Sequence, residues 1–227
     1  MLISVNSINL FYECTGQGQP LILLHGNDED HRIFDHIACE LKDFFTVYQI
    51  DSRGHGQSTK DCLLSYHLMA SDITAFIKQL NIIDPIIYGF SDGGIVGLLM
   101  AIEDQVNLKK IIISGVNVHP FGIEFFTYIK YLIEYLKHGA KTIKMMLAQP
   151  RIKMSELNQI RIPVIMTAGE NDVIRKKHTL YIHKNIKGSV LKIVCDHDHQ
   201  SYVIDNVQLI KIIMPYLADD PIVGLSR

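Results

Sequence analysis

Apolar residues in this chain gather into short runs separated by amphipathic stretches. Residues 21–24, 85–88 and 110–114 are apolar on both faces or nearly so. That is the pattern of strands buried on both sides of a parallel sheet. Residues 45–50, 161–168 with its early proline, and 190–194 predict further strands. Between these runs, apolar positions recur at helical spacing over 31–41, 65–80, 95–101, 176–185 and 201–217, with Leu68, Ile73, Phe76, Ile77 and Leu80 marking the second of these. Residues 2–14 alternate, predicting a β-hairpin about Asn6-Ser7, and residues 15–20 form a Gly- and Pro-containing turn. Strand and helix in this rhythm predict an α/β fold: a mostly parallel central sheet with helices on both faces.

The rhythm breaks over residues 117–160, which contain no good strand and predict a short helical insertion within one domain spanning 1–227. One helix is clear there, from about 124 to 138. Phe125, Ile129, Leu132 and Leu136 form an apolar stripe, Tyr128, Tyr131 and Tyr135 a second stripe beside it, and Thr127, Lys130, Glu134 and Lys137 lie opposite. Two arrangements fit: a cap helix with its apolar stripe docked and its tyrosines facing a pocket, or an ordinary surface helix with a wide core face.

Composition narrows the picture a little. With 227 residues, 48% apolar and 20% charged, the chain can bury a sizeable core. A formal net charge of −2 gives no electrostatic reason to expect nucleic acid or an anionic membrane as partner. No uncharged apolar run approaches the length of a membrane span, and the first residues lack the basic-then-apolar pattern of a secretion signal. The four scattered cysteines, Cys14, Cys39, Cys62 and Cys195, form no Cys-x-x-Cys pair and are expected to be reduced core or filler thiols. The expectation is a soluble cytoplasmic protein.

The stretch with chemical content is Gly89-Phe90-Ser91-Asp92-Gly93-Gly94, set between a buried strand and a helix. A dinucleotide-binding turn needs glycine where Ser91 stands, and a phosphate-binding loop needs a following Gly-Lys-Ser/Thr. Gly-x-Ser-x-Gly at a strand-to-helix turn is instead the pattern of a nucleophile elbow, which pushes the serine hydroxyl out over the sheet edge. A serine hydroxyl needs a base to remove its proton, and the imidazole that does so needs a carboxylate to fix its tautomer. Ligands of open parallel sheets gather at the carboxyl ends of the strands. This chain places Asn27, Asp51, Ser91, Asn117, Asp172 and His199 there. Ser91, Asp172 and His199 occur in the order nucleophile, acid, histidine. The backbone N–H groups of Asn27 and Asp92 are the candidate oxyanion hole. Asn117 cannot ionise, and Glu170 is the weaker acid candidate. The cluster Asp196-His197-Asp198-His199 could alternatively ligate a metal, although no third site is spaced to complete it.

These motifs together resemble the α/β-hydrolase-fold superfamily, and the resemblance runs along essentially the whole chain. His25-Gly26 is similar to the family's oxyanion His-Gly, Gly89–Gly93 to its elbow, and Gly169-Glu170-Asn171-Asp172 to its Gly-x-x-Asp acid turn. His199 stands where the family places its histidine, and Gln200-Ser201 after it favours His199 over His197. The loop from Asp51 to Ser58, with Arg53, Gly54 and Gly56, resembles one that braces the fold, and His25 and His55 are expected to brace loops too. Asp28 departs from the small residue or proline common there, narrowing the acyl site or adding negative charge. The short insertion hints at a shallow, open pocket. The resemblance implies a serine hydrolase acting on a small carboxylic ester or related acyl compound, with no cofactor and no metal. Serine rather than aspartate at the elbow argues against dehalogenase or epoxide hydrolase chemistry. Peptide or C–C bond hydrolysis, perhydrolysis, or a small-molecule receptor without turnover are the alternatives the same residues allow.

Overall fold

The computed structural model describes residues 1–204 and 207–217. Eight strands form one sheet: β1 (Leu2–Val5), β2 (Ile8–Thr15), β3 (Gln19–Leu24), β4 (Phe45–Ile50), β5 (Ile86–Phe90), β6 (Lys110–Ser114), β7 (Val164–Gly169) and β8 (Val190–Val194). Their spatial order is β1-β2-β4-β3-β5-β6-β7-β8. The β1–β2 and β2–β4 pairs are antiparallel and the rest are parallel. The hairpin turns at Asn6 and Ser7, both at positive φ, the geometry of a tight turn matched to strand twist. Strand β7 begins later than the apolar run predicts, because Pro163 has no N–H to give a ladder.

The helices are α1 (Asp35–Leu41), α2 (Tyr66–Gln79), α3 (Asp92–Glu103), α4 (Phe125–His138), α5 (Lys141–Ala148), α6 (Met154–Leu157), α7 (Lys176–Asn185) and α8 (Val207–Leu217). Ser65 caps α2, accepting from the Leu68 N–H at 3.1 Å. Phe34, Ile37 and Leu41 pack with Leu209 and Ile213 of α8 on one face of the sheet. Ile73, Phe76, Ile95, Leu98 and Ile182 from α2, α3 and α7 belong to the core on the other. The central strands are buried along their length, which matches their continuous apolar runs.

Several expectations need correction. Residues 31–34 form a 3₁₀ turn before α1 rather than its first turn, with the Asp30 carboxylate capping the Arg32 N–H. Residues 201–204 are turns rather than helix, with Asp198 accepting from the N–H groups of Gln200 and Ser201 and holding that segment in a local loop; residues 205 and 206 lie outside the described residues. Three of the four cysteines are exposed and Cys62 is half-buried, so they do not fill the core. The insertion carries three helices, α4 to α6. Its first helix meets the cap arrangement in half: the tyrosines are the half-buried row and Tyr131 lines a pocket, but no residue of α4 is buried and the stripe led by Phe125, Leu132 and Leu136, expected to dock, faces solvent. The space below α4 is partly polar, and Tyr131 lies near the carboxylates of Asp92 and Asp28. A ring with a hydroxyl suits that setting better than Leu or Phe.

Candidate active site

Strand β5 delivers the chain to Ser91 and α3 begins at the next residue. Ser91 has φ 51° and ψ −112°, a conformation outside the regions L-residues prefer. The surroundings enforce it. A Cβ at Gly89 would come within 2.3 Å of the Gly93 carbonyl oxygen, and one at Gly93 within 2.1 Å of that of Leu24. Only glycine lets β3, β5 and α3 approach this closely. The Ser91 N–H donates to the Ser114 carbonyl at 2.8 Å and the Gly93 N–H to that of His25 at 3.0 Å, tying the elbow to β6 and to the loop after β3.

Two other strand ends meet Ser91 here. After β8, His199 brings Nε2 to 3.1 Å from Ser91 Oγ and Nδ1 to 2.7 Å from Asp172 Oδ1. A carboxylate oxygen accepts, so Nδ1 carries the proton and Nε2 is left to accept from the serine hydroxyl. Asp172, in the turn after β7, is almost wholly buried and also accepts from the N–H groups of Ile174 at 2.9 Å and Gly169 at 3.3 Å. Gly115 makes room for the imidazole, since a Cβ there would lie 2.6 Å from His199 Cε1. The Phe90 ring supports the imidazole with a 5.0 Å centroid separation.

The remaining candidates lie elsewhere. His197 contacts Ser201 Oγ at 3.1 Å. Glu170 is exposed and accepts from the Asp196 N–H. Asn117 is buried at the pocket and donates to the His119 carbonyl at 3.0 Å. His197 and Asp198 bond within their own loop, Asp198 Oδ1 accepting from the Gln200 and Ser201 N–H groups, while His199 turns to Asp172 and Ser91. Among the described residues Asp30, His31 and Asp51 are the group whose ligand-type atoms approach one another, but they are already engaged: Asp51 accepts from the His31 N–H, from His31 Nδ1 and from the Gln57 N–H, while Asp30 pairs with Arg32. The 51–58 loop is braced as its resemblance implies, with Arg53 paired to buried Asp72. His25 donates from Nδ1 to the Gly26 carbonyl and accepts the Ser52 N–H at Nε2, which fixes it as a neutral ring. Burial pulls its pKa down to about 4.

The loop after β3 carries Asn27, and Asp92 is the first residue of α3, so its N–H has no carbonyl in a preceding turn. Asp28 is exposed at φ 57° and accepts from the Thr142 hydroxyl at 2.9 Å, linking this loop to α5. The pocket at Ser91 is a narrow space of about 20 Å³ lined by Tyr66, Asp92, Asn117, Ile123, Tyr131, Met146, Val173, Ile174 and His199. It is closed over by the insertion, not shallow and open as its short length suggested. A wider, polar cleft of about 520 Å³ runs between residues 28–32 and 54–60 and contains neither Ser91 nor His199.

Two carboxyls beside Ser91 have no signal in the sequence. Asp92 is buried; Oδ1 accepts from the Tyr66 hydroxyl at 2.7 Å and Oδ2 has no partner. Burial raises its pKa to about 7. Glu29 accepts from the Gly26 N–H at 2.8 Å and is likewise raised to about 7, chiefly by burial. A carboxyl that loses hydration without gaining a cation holds its proton.

Residues 19–135, more than half of the chain, match the model of the alpha/beta hydrolase fold. The chain belongs to the α/β hydrolase fold family. This α/β hydrolase is 36% identical over 117 residues to the AB hydrolase superfamily protein YisY of Bacillus subtilis, covering 50% of the chain and 44% of that protein. It is 24% identical over 234 residues to the serine hydrolase BPHL of Homo sapiens, covering 88% of the chain and 80% of that protein. The chain thus spans under half the length of the first relative and four-fifths of the second. Among solved structures, an esterase from Exiguobacterium antarcticum superposes with a TM-score of 0.82 at 21% identity, over 95% of this chain and 98% of that one. The family match ends before Asp172 and His199, so what joins those two to Ser91 is the geometry above.

Proposed function

We propose that this α/β hydrolase is a serine hydrolase that cleaves a small carboxylic ester or related acyl compound through an acyl-enzyme on Ser91. The observation that carries the reading is the single imidazole spanning Ser91 at 3.1 Å and a buried, multiply hydrogen-bonded carboxylate at 2.7 Å. Ser91 Oγ attacks the carbonyl carbon as His199 Nε2 takes its proton. Asp172 keeps Nδ1 protonated and stabilises the imidazolium. The N–H groups of Asn27 and Asp92 receive the oxyanion, a role in which each donor typically contributes about 3–4 kcal/mol. His199 then protonates the leaving alcohol, and a water activated by the same nitrogen releases the acid and restores the serine.

The narrow lining favours a small acyl group over a large one. About 20 Å³ is room for one water, so even an acetyl group needs the lining to give way a little, and a longer chain needs α4 or α5 to shift. Above pH 7, where Glu29 and Asp92 lose their protons, they join Asp28 as negative charges near the oxyanion side and disfavour substrates that bring a carboxylate of their own. A p-nitrophenyl ester series tests the proposal: acetate gives a pre-steady-state burst of one nitrophenol per chain, rates fall with acyl length, and Ser91→Ala removes the burst. Inertness toward the whole series and toward a fluorophosphonate would instead indicate a fold used for binding without turnover.

A further inference from the structure

The outer face of α4 has no role in the chemistry above, and it is unusual for a protein surface. At 100° per residue, Leu132, Phe125, Leu136, Ile133 and Phe126 fall on one arc of about 120°. Phe126 is 85% and Leu136 73% exposed, and the others, with Phe121 just before the helix, are exposed too. Together they offer roughly 700 Å² of apolar area, above the largest patch of an ordinary monomer. Exposed Lys130 and Lys137 border this arc.

The charge around the patch identifies what it meets. Residues 117–160 hold six Lys and Arg against three Asp and Glu, a net +3, so the rest of a chain totalling −2 carries −5. The neutral average conceals a basic, apolar-faced insertion on an acidic body. A second copy of this chain is a poor occupant, since a two-fold contact centred on α4 would bring Lys130 and Lys137 of one copy against those of the other. A bare apolar partner would leave the lysines unused. No helix among the described residues is long and apolar enough to cross a membrane, so the contact is with a surface. We infer that α4 is an interfacial helix that seats this protein on an anionic lipid surface, with Phe126, Ile133 and Leu136 among the acyl chains and Lys130 and Lys137 at the headgroups. The same helix turns Tyr131 inward to line the pocket beside Ser91, so the docked face and the reaction centre lie on opposite sides of one helix.

Co-sedimentation of the full chain with vesicles at low ionic strength tests this. An equal mixture of phosphatidylcholine and phosphatidylglycerol is expected to bind it at least about tenfold more tightly than phosphatidylcholine alone. Phe126→Ser with Leu136→Ser should weaken binding to the mixture about tenfold or more, and Lys130→Glu with Lys137→Glu should abolish the preference for the anionic vesicles. These side chains are exposed, and thermal melting monitored by circular dichroism verifies that each variant is folded. Ser91→Ala should bind like the unaltered chain, so a failure of the hydrolase reading leaves this result standing. Absence of vesicle binding, binding indifferent to lipid charge, or binding unchanged in the Phe126/Leu136 variant would each overturn the inference. So would a concentration-dependent dimer in sedimentation velocity that the serine substitutions abolish.

Discussion

The elbow and the insertion above it sit a few ångströms apart and are built on opposite principles. At the elbow, β3, β5 and α3 approach so closely that a single methyl group would collide with backbone, and every residue from Asp92 to Ala101 is buried. In α4 nothing is buried, and Gly139 at its end has no atom within 4 Å of where a Cβ would go. The first region can hold Ser91 in a strained conformation because its neighbours leave it no alternative. The second has no such enclosure. Position is therefore tightly set at Ser91 and less constrained in the helix above it, where the proposed substrate would enter.

Substitutions should reproduce that contrast. The largest effect expected is on turnover: Ser91→Ala or His199→Ala lowers ester hydrolysis by about 10⁴-fold or more, with a melting temperature close to that of the parent. Asp172→Asn should cost about 10³–10⁴-fold, because an amide no longer fixes the imidazole tautomer. A smaller loss, near tenfold, would mean the carboxylate only supports the loop. Next comes stability. Gly93→Ala forces a Cβ against the Leu24 carbonyl and should destabilise by several kcal/mol or prevent folding. Gly139→Ala, at φ 67° but in open space, should cost only about 1 kcal/mol in denaturant titrations. Equal costs at the two glycines would dissolve the contrast between a rigid base and a loose roof.

The acidic pair predicts a pH effect with a definite sign. Asp92 and Glu29 have ordinary values of 3.8 and 4.5 and folded values of about 7. Folding raises these pKa values, so between about pH 4 and 7 the folded protein binds more protons than the unfolded chain. Their stabilising contribution is complete below the unfolded values and declines as pH rises through 7. Asp92→Asn keeps an oxygen for Tyr66 and should flatten that decline, raising stability at pH 8 by on the order of 3 kcal/mol. Above pH 7 the ionised pair also repels the developing oxyanion. Hydrolysis should drop about tenfold from its maximum by pH 9, and less in Asp92→Asn. The smallest effect belongs to the roof: Tyr131→Ala should relax the acyl-length preference and raise KM while changing kcat by no more than about threefold, measured on the p-nitrophenyl series.

What the sequence revealed follows the same division. The strands beneath the site were legible because a sheet covered on both faces demands unbroken apolar runs, as in Ile86–Phe90 and Lys110–Ser114. Ser91 was legible because its turn excludes side chains at 89 and 93. The spacing of strand ends brought Asp172 and His199 to notice as well. Glu29 and Tyr66 were invisible, since their roles come from how a loop and a helix end fold back onto residues 26 and 92. Periodicity offered the tyrosines facing a pocket as one of two arrangements, but it could not tell that the stripe of Phe125, Leu132 and Leu136 beside them would be left in solvent. The turns at residues 201–204 follow from Asp198 capping its own loop, a local competition that a helical pattern does not display.

Intact-mass spectrometry of the protein after brief exposure to p-nitrophenyl acetate and to a fluorophosphonate addresses the central claim most directly. One acetyl and one phosphonyl adduct per chain are expected, both mapping to Ser91 and both absent in His199→Ala. An unmodified mass under both reagents, or adducts that persist when Ser91 is alanine, would contradict the account.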